Sequence, residues 1–225
     1  RLTRSARNFG STPAQKSMVK SVQNGVAAGG ARFRLLPILL LLLVGSGGCA
    51  LIYEIIWFQL LELVIGSSAI SLGVLLATYM GGLCIGSLMY PRMVSPRHHP
   101  LRVYALLEFG IGALGLLVLL LLPLVSGVWS AGGGHGLGSI LLRAVLSGIC
   151  LLPPTILMGA TLPAVSRWLE STREGVAWIG YLYAGNTVGA VVGATLAGFY
   201  LLRVFDLTVA TFIAVAINAP SGPRR

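Results

Sequence analysis

Long apolar runs separated by short polar connections dominate the chain. A helix needs about 20 mostly apolar residues to cross the hydrocarbon of a bilayer. Five runs reach this length and a sixth is shorter, with approximate bounds 35–61, 67–90, 103–125, 137–165, 176–202 and 207–219. The pattern predicts an all-α, polytopic membrane helix bundle of about six transmembrane helices, whose last helix is either incomplete or tilted into the interface.

The chain ends differ in character from these runs. Residues 1–34 are rich in Ser, Gly, Arg and Lys and have little apolar periodicity, which is typical of a flexible tail. We therefore predict a flexible basic cytoplasmic tail over 1–34, a transmembrane domain over 35–219 and a short basic tail over 220–225. A cleaved secretory signal fits less well, because the apolar run from Leu35 continues beyond a signal-peptide core.

Composition supports the membrane assignment. Hydrophobic residues make up 56% of the 225 positions and charged residues 10%, and the mean hydropathy is +0.87. The formal net charge of +10 could indicate a nucleic-acid partner. However, seven of the 16 basic residues lie in the first 34 positions and most others flank apolar runs, so we predict no nucleic-acid binding.

The distribution of arginines predicts the orientation, since basic residues collect in short cytoplasmic loops. The tail, the second and fourth connections and the C-terminus carry Arg32, Arg34, Arg92, Arg97, Arg102, Arg167, Arg173, Arg224 and Arg225. The intervening connections are nearly uncharged. Both termini are therefore expected in the cytoplasm, which requires an even number of spans.

No cofactor site is indicated. The three cysteines lack metal-ligand spacing and are interpreted as small packing residues, while the histidines fall in basic or glycine-rich loops: Cys49, Cys84, Cys150, His98, His99 and His135. We predict neither metal nor haem nor pigment binding.

Small residues in two runs allow close helix contact in lipid. They recur at four-residue spacing: Gly82 and Gly86 in the second run, and Gly185, Gly189, Gly193 and Ala197 in the fifth. Two interpretations remain open: packing within this chain, which we favour, and an interface with another membrane subunit.

The fourth run contains three prolines, Pro153, Pro154 and Pro163, around Gly159. Prolines inside a helix remove backbone hydrogen bonds, so we predict a kinked or broken helix. It is either a structural kink, which we slightly favour, or a substrate region, because broken helices expose backbone carbonyls in transporters.

Polar residues at membrane depth are candidates for a functional site, since a charge there costs about 2.5–3.5 kcal/mol on insertion scales. The candidates are Glu54, Glu108, Arg143 and Asn186. We hypothesise an ion pair between Glu54 and Arg143, which enter their helices from the same side. Glu108 begins the third run and could extend only to the interface, and Asn186 is interpreted as an interhelical hydrogen-bonding group.

The segment "AGGGHG" over 131–136 resembles the glycine-rich nucleotide loop of aminopropyltransferases, but His135 stands where that loop has an acidic residue. Such a loop requires a preceding strand and a following helix in a soluble parallel sheet. We interpret the segment as a flexible connection between two spans.

A longer stretch carries a family resemblance. The run "SGGCALIYEIIWFQLLELVIGSSAISLGVLLATYMGGLCIGSLMYPR" and the later segments "YALLEFGIGALG", "PTILMGATLPAVSR" and "GYLYAGNTVGAVVGATLAGFYLL" resemble the membrane domain of bacterial spermidine synthase-like proteins, fused major facilitator and spermidine synthase proteins. The resemblance covers about 47–218 and implies half of a major facilitator body in the bacterial inner membrane.

The resemblance omits the catalytic part. In longer family members a soluble aminopropyltransferase-like domain follows the membrane part, whereas this sequence stops at "INAPSGPRR". We therefore predict no catalytic residues here. The loop after the second run also lacks the aspartate common in major facilitator proteins, which argues against a gated transporter.

Two functions follow from these patterns. The first is a non-catalytic membrane module acting as a structural or accessory subunit, with the lipid bilayer and other membrane subunits as partners. The alternative is a transport or channelling module for a cation such as a polyamine or proton, in which Glu54, Glu108 and the fourth run would supply oxygen ligands.

Overall fold

The computed structural model describes residues 13–95, 97–130, 136–169 and 173–218, and within these ranges it is helical with no β-strand. The helices are α1 Pro13–Ile65, α2 Ser68–Met93, α3 Pro100–Ser130, α4 Leu137–Leu169, α5 Arg173–Leu196 and α6 Leu207–Asn218. A π-helical turn, Ala197–Leu201, and one further helical turn, Leu202–Val204, continue α5. The predicted all-α bundle is confirmed.

Within the described ranges, five helices are long and apolar enough to cross a membrane: Leu36–Ile65, Ser68–Met93, Pro100–Val125, Leu137–Leu169 and Ala177–Val204. The 12 residues of α6 extend about 18 Å at 1.5 Å per residue, less than the hydrocarbon thickness of about 30 Å. As described, α6 is therefore too short to count as a full span.

The first part of α1 differs from its prediction. Residues 13–34, expected to be a flexible tail, are helical. The segment is rich in Ala, Gln, Lys and Val and has no proline between Pro13 and Pro37, so local propensity permits a helix despite the low apolar periodicity. Residues 1–12 and 219–225, which include the start of the first predicted tail and all of the second, lie outside the described residues.

The chain divides into two compact units, Arg1–Leu39 and Leu40–Arg225. Of the first unit, the structure describes the opening stretch of α1. The second unit is the helix bundle, and the contacts described below all lie within it. Its first turn is made at Gly66, which adopts φ +78° and donates its N–H to the Glu62 carbonyl at 2.9 Å, so α1 ends where α2 can begin.

An extensive helix contact joins α2 and α4. A Cβ atom on Gly82 would collide with the Thr155 side chain, and one on Gly86 with the Ile156 carbonyl. From the other helix, Gly159 lies against the α2 backbone in the same way. Small residues on both helices therefore let the two backbones touch, as expected for association in lipid.

A second glycine contact joins α5 to α1. The small residues concerned are Gly185, Gly189, Gly193 and Ala197. A Cβ on Gly189 would meet the Val44 carbonyl, and one on Gly193 would meet the Gly48 carbonyl. The stripe of α5 is thus covered by a helix of the same chain, and Ala197 is fully buried at the start of the π-helical turn.

The predicted break in α4 does not occur. One continuous helix passes through Pro153, Pro154 and Pro163. Pro153 and Pro154 remove the α-helical donors of the Ile149 and Cys150 carbonyls. One turn further on, the Thr155 hydroxyl shares its one proton between the carbonyls of Leu151 and Leu152, at 3.0 and 2.9 Å. Hydroxyl groups and neighbouring helices commonly support proline-containing helices in membranes in this way.

The outside of the bundle is apolar. Large side chains such as Leu41, Leu63, Leu106 and Phe109 are more than 70% exposed, which in water would form an aggregation-prone surface. Lipid chains solvate such a surface. The core is mainly aliphatic and includes a few aromatic residues, among them Tyr53, whose ring stacks on that of Trp57 at a centroid distance of 5.6 Å.

Candidate functional site

A cavity of about 710 Å³ lies in the half of the bundle where α2 ends and α3 begins. Residues from all six helices line it. The volume falls in the usual range of small-molecule sites, about 300–1,000 Å³. Glu108 is the only Asp, Glu, Lys or Arg among the described lining residues.

Glu108 is 1% exposed and its carboxylate is incompletely paired. Its Oε1 atom accepts a hydrogen bond from Ser46 Oγ at 2.6 Å. Its Oε2 atom is buried and has no hydrogen-bond partner among the described residues. Glu108 lies eight residues after the first residue of α3, about 12 Å along the helix axis.

Three helices meet at Glu108. Asn218, the last residue of α6, donates from Nδ2 to the Glu108 backbone carbonyl at 3.0 Å. One turn earlier on α3, Tyr104 donates to the Leu42 carbonyl of α1 at 3.5 Å. The contacts fix the position of the carboxylate from α1 and α6, and neither Ser46 nor Asn218 was singled out in the sequence.

Four hydroxyls at the cavity donate to carbonyls of their own helices, three or four residues earlier. They belong to Ser87, Thr161, Ser166 and Thr187, with distances of 2.9, 2.7, 3.1 and 3.0 Å. A hydroxyl has one proton to donate and two lone pairs. These groups can therefore only accept further hydrogen bonds from a molecule in the cavity.

Pro163 adds a backbone acceptor. In an α-helix the N–H of each residue bonds the carbonyl four residues earlier, and proline has no N–H. The Gly159 carbonyl therefore lacks its α-helical donor, and both Gly159 and Pro163 line the cavity. Although α4 is not broken, it still offers a backbone oxygen of the kind that its prolines suggested.

Only two of the four polar residues that were predicted to form a site lie at the cavity. Glu108 and Asn186 line the cavity, whereas Glu54 and Arg143 do not. The Asn186 backbone also lies against Gly47, which makes the residue part of the contact between α5 and α1.

The hypothesised ion pair between Glu54 and Arg143 is not formed. Arg143 donates from Nη1 to the Val64 carbonyl at 3.1 Å. Val64 lies ten residues after Glu54 on α1, about 15 Å along the axis, which is too far for one side chain to serve both positions. Arg143 instead places its charge at the C-terminal end of α1, where the helix dipole favours a cation.

The cavity opens between α2 and α5. Two lining residues on α5, Tyr183 and Thr187, are exposed, and so is Cys84 on α2. The side of the cavity formed by α1, α3 and α4 has no exposed lining residue among those described, and it includes the buried Ile111 and Met158. A ligand could therefore enter sideways between α2 and α5.

No group of three His, Cys, Asp or Glu side chains within the described ranges could hold a metal ion. His135 and the rest of 131–135 lie outside the described residues, so the interpretation of the glycine-rich connection stays a prediction.

Comparison with known proteins gives one distant similarity to report. No family model and no solved structure matches the chain. A curated relative, polyamine aminopropyltransferase 1 of Streptomyces coelicolor, is 25% identical over 204 residues, covering 86% of this chain and 33% of that protein. The chain thus spans about a third of the relative's length. The similarity is consistent with part of a spermidine synthase-like protein, and it gives no support for a major facilitator component.

Proposed function

We propose that the chain is a non-catalytic membrane module that binds a cation such as a polyamine in its cavity, as part of transport or channelling. The observation that carries the proposal is the Glu108 carboxylate, buried in the cavity with one oxygen unpaired. The proposed function corresponds to the second of the two functions predicted from the sequence. Glu108 is the carboxylate that would bind the cation, and Glu54 takes no part.

The energetics of burial support a ligand at this carboxylate. An ionisable group inside a membrane is expensive, and a buried acceptor without a partner costs about 1–3 kcal/mol, more when it is charged. Ser46 satisfies only one of the two oxygens. A cation in the cavity would supply both the missing hydrogen bond and the opposite charge.

The curated relative supports an amine as the cation. Its name describes an enzyme that acts on polyamines, and this chain aligns with a third of it. A membrane module that receives or delivers the polyamine of such an enzyme would need a binding site but no catalytic groups. We propose that the cavity lined by Glu108 serves as that binding site.

We further propose that the module lies in the bacterial inner membrane with both termini cytoplasmic. Arg92, Arg97, Arg102 and Arg167 lie at the end of the bundle nearer the cavity, which the positive-inside rule assigns to the cytoplasm. The contact of Asn218 with Glu108 supports a return of α6 toward that end. On this orientation the cavity lies in the cytoplasmic half of the module.

The structural or accessory role remains the second candidate, but its sequence argument is weaker. That argument required glycine faces free to receive another subunit. Of those faces, Gly82 and Gly86 instead contact α4, and Gly189 and Gly193 contact α1 of the same chain. No other observation favours the role, so it becomes an outcome of the experiment rather than the main proposal.

The test is equilibrium binding of spermidine to the protein in lipid nanodiscs. We expect Glu108→Gln, which keeps the shape and removes the charge, to weaken binding about tenfold or more, equivalent to about 1.4 kcal/mol. Glu54→Gln is the matched control, because it removes a carboxylate from the same membrane without touching the cavity. Its affinity should stay within about twofold of the wild type.

Two results would contradict the proposal. One is equal binding by the wild type and Glu108→Gln, both monodisperse. The other is no binding by the wild type together with co-purification of fixed membrane partners, which would favour the accessory role.

A further inference from the structure

We infer that the cavity recognises the N–H donors of its ligand, so that it accepts a primary or secondary ammonium ion and excludes a quaternary ammonium ion of equal charge. The inference rests on the proposed function and specifies the chemical class of its ligand. It follows from the hydrogen-bond acceptors that the lining residues still have free after they have bonded to one another and to their own helices.

The side-chain oxygens of the lining are mostly acceptors. Besides the four hydroxyls that donate within their own helices, Ser46 gives its proton to Glu108. A hydroxyl that has donated its one proton can only accept. Five lining hydroxyls and the unpaired Oε2 of Glu108 therefore call for donors from the ligand.

The backbone contributes in the same sense. Pro163 deprives the Gly159 carbonyl of its helical donor, and Gly159, Pro163 and Glu108 all line the same cavity. These two acceptors come from α4 and α3, on separate helices. A ligand with several N–H donors can pair with acceptors on both helices, whereas a cation without N–H groups can pair with neither.

A primary ammonium has three N–H donors and no acceptor, so its requirements match this lining. A quaternary ammonium carries the same charge but no N–H, and it would leave the buried acceptors unpaired. Sites built to hydrogen-bond a ligand reject analogues that lack the bonding group by a large factor.

Quaternary ions are usually bound in cages of aromatic faces. The lining includes Tyr79 and Tyr183 but no tryptophan or phenylalanine among the described residues. Tyr183 is 61% exposed at the opening, so it cannot enclose a ligand in the interior. The cavity therefore lacks the means to compensate a quaternary ion for the missing hydrogen bonds.

The test compares 1,4-diaminobutane with its fully methylated bis(trimethylammonium) analogue, by calorimetry on the protein in nanodiscs. We expect the diamine to bind about tenfold or more tightly than the analogue. Pro163→Ala restores an N–H for the Gly159 carbonyl and should reduce that preference. Pro153→Ala is the matched control, because Pro153 is an exposed proline of the same helix that does not line the cavity.

The outcomes separate the two proposals. Equal binding of both cations would overturn donor recognition and leave the cation site intact. Binding of neither cation would overturn the proposed function itself. An unchanged preference in Pro163→Ala would remove the Gly159 carbonyl from the recognition set, and a lost preference in that variant but not in Pro153→Ala would support it.

Discussion

Ser46 on α1 donates its hydroxyl proton to Oε1 of Glu108 on α3, across 62 positions of sequence and 2.6 Å of space. The short distance is typical of an O–H group bonded to a carboxylate. The bond ties the first and third spans together at the cavity. It also leaves Oε2 as the one carboxylate oxygen available to a ligand.

Removing the Ser46 hydroxyl should destabilise the protein even without ligand. Ser46→Ala removes the donor that lies 2.6 Å from the buried Glu108 Oε1, and a buried acceptor that loses its partner costs about 1–3 kcal/mol. We expect a lower melting temperature in detergent, measured by intrinsic fluorescence. Ser87→Ala is the control, since the Ser87 hydroxyl bonds only to its own helix at Cys84 and its loss should change the melting temperature little. Equal shifts in the two variants would contradict a specific role for Ser46.

The helices of this chain could be predicted from its sequence, because the hydrocarbon thickness of a bilayer sets the length and apolarity that a spanning helix needs, and both are local properties of the sequence. The predicted run over 67–90 and the observed α2, Ser68–Met93, differ by only a few residues. The start of α1 could not be predicted this way, since helix propensity without apolar periodicity gives a weak signal.

The site was only partly predictable. Glu108 stood out because it is charged within an apolar run, but its depth and its partners depend on how three helices pack. Ser46 and Asn218 carry no pattern of their own, since single small polar residues are common in membrane helices. The Glu54–Arg143 pair failed because entry from the same side does not fix depth along two helices.

The α5–α1 contact predicts a sharp difference between two glycines of one helix. Gly189→Ala places a methyl group against the Val44 carbonyl, where backbone leaves no room, so the helices must separate. We expect a large loss of monodisperse protein by size-exclusion chromatography. Gly180→Ala, with nothing within 4 Å of its added methyl, should be neutral or slightly stabilising, by up to about 1 kcal/mol of helix propensity. Similar yields for both variants would exclude the close contact.

Because Arg143 lies far from Glu54, we expect the losses of stability caused by replacing each residue with alanine to be additive. Each alanine variant removes a polar group from a different depth, and distant sites without shared partners usually add within about 0.3–0.5 kcal/mol. We expect Arg143→Ala to be the more damaging, because it removes the hydrogen bond to Val64 at the end of α1. Thermal unfolding of the two single variants and the double variant measures the coupling. If the double variant were no less stable than Arg143→Ala alone, the result would support an ion pair between Glu54 and Arg143.

Cysteine labelling can detect a ligand in the cavity without measuring affinity. Cys84 is exposed at the opening on α2, and Cys150 is half-buried on α4 and does not line the cavity. We expect a membrane-permeant maleimide to label Cys84, and saturating spermidine to slow that labelling several-fold in proportion to occupancy. Labelling of Cys150 should not respond, which controls for general effects of the polyamine on the lipid.

Protection should also disappear in Glu108→Gln, because the carboxylate that binds the ligand is lost. Equal slowing of both thiols, or protection that persists in Glu108→Gln, would mean that spermidine acts on the membrane rather than in the cavity.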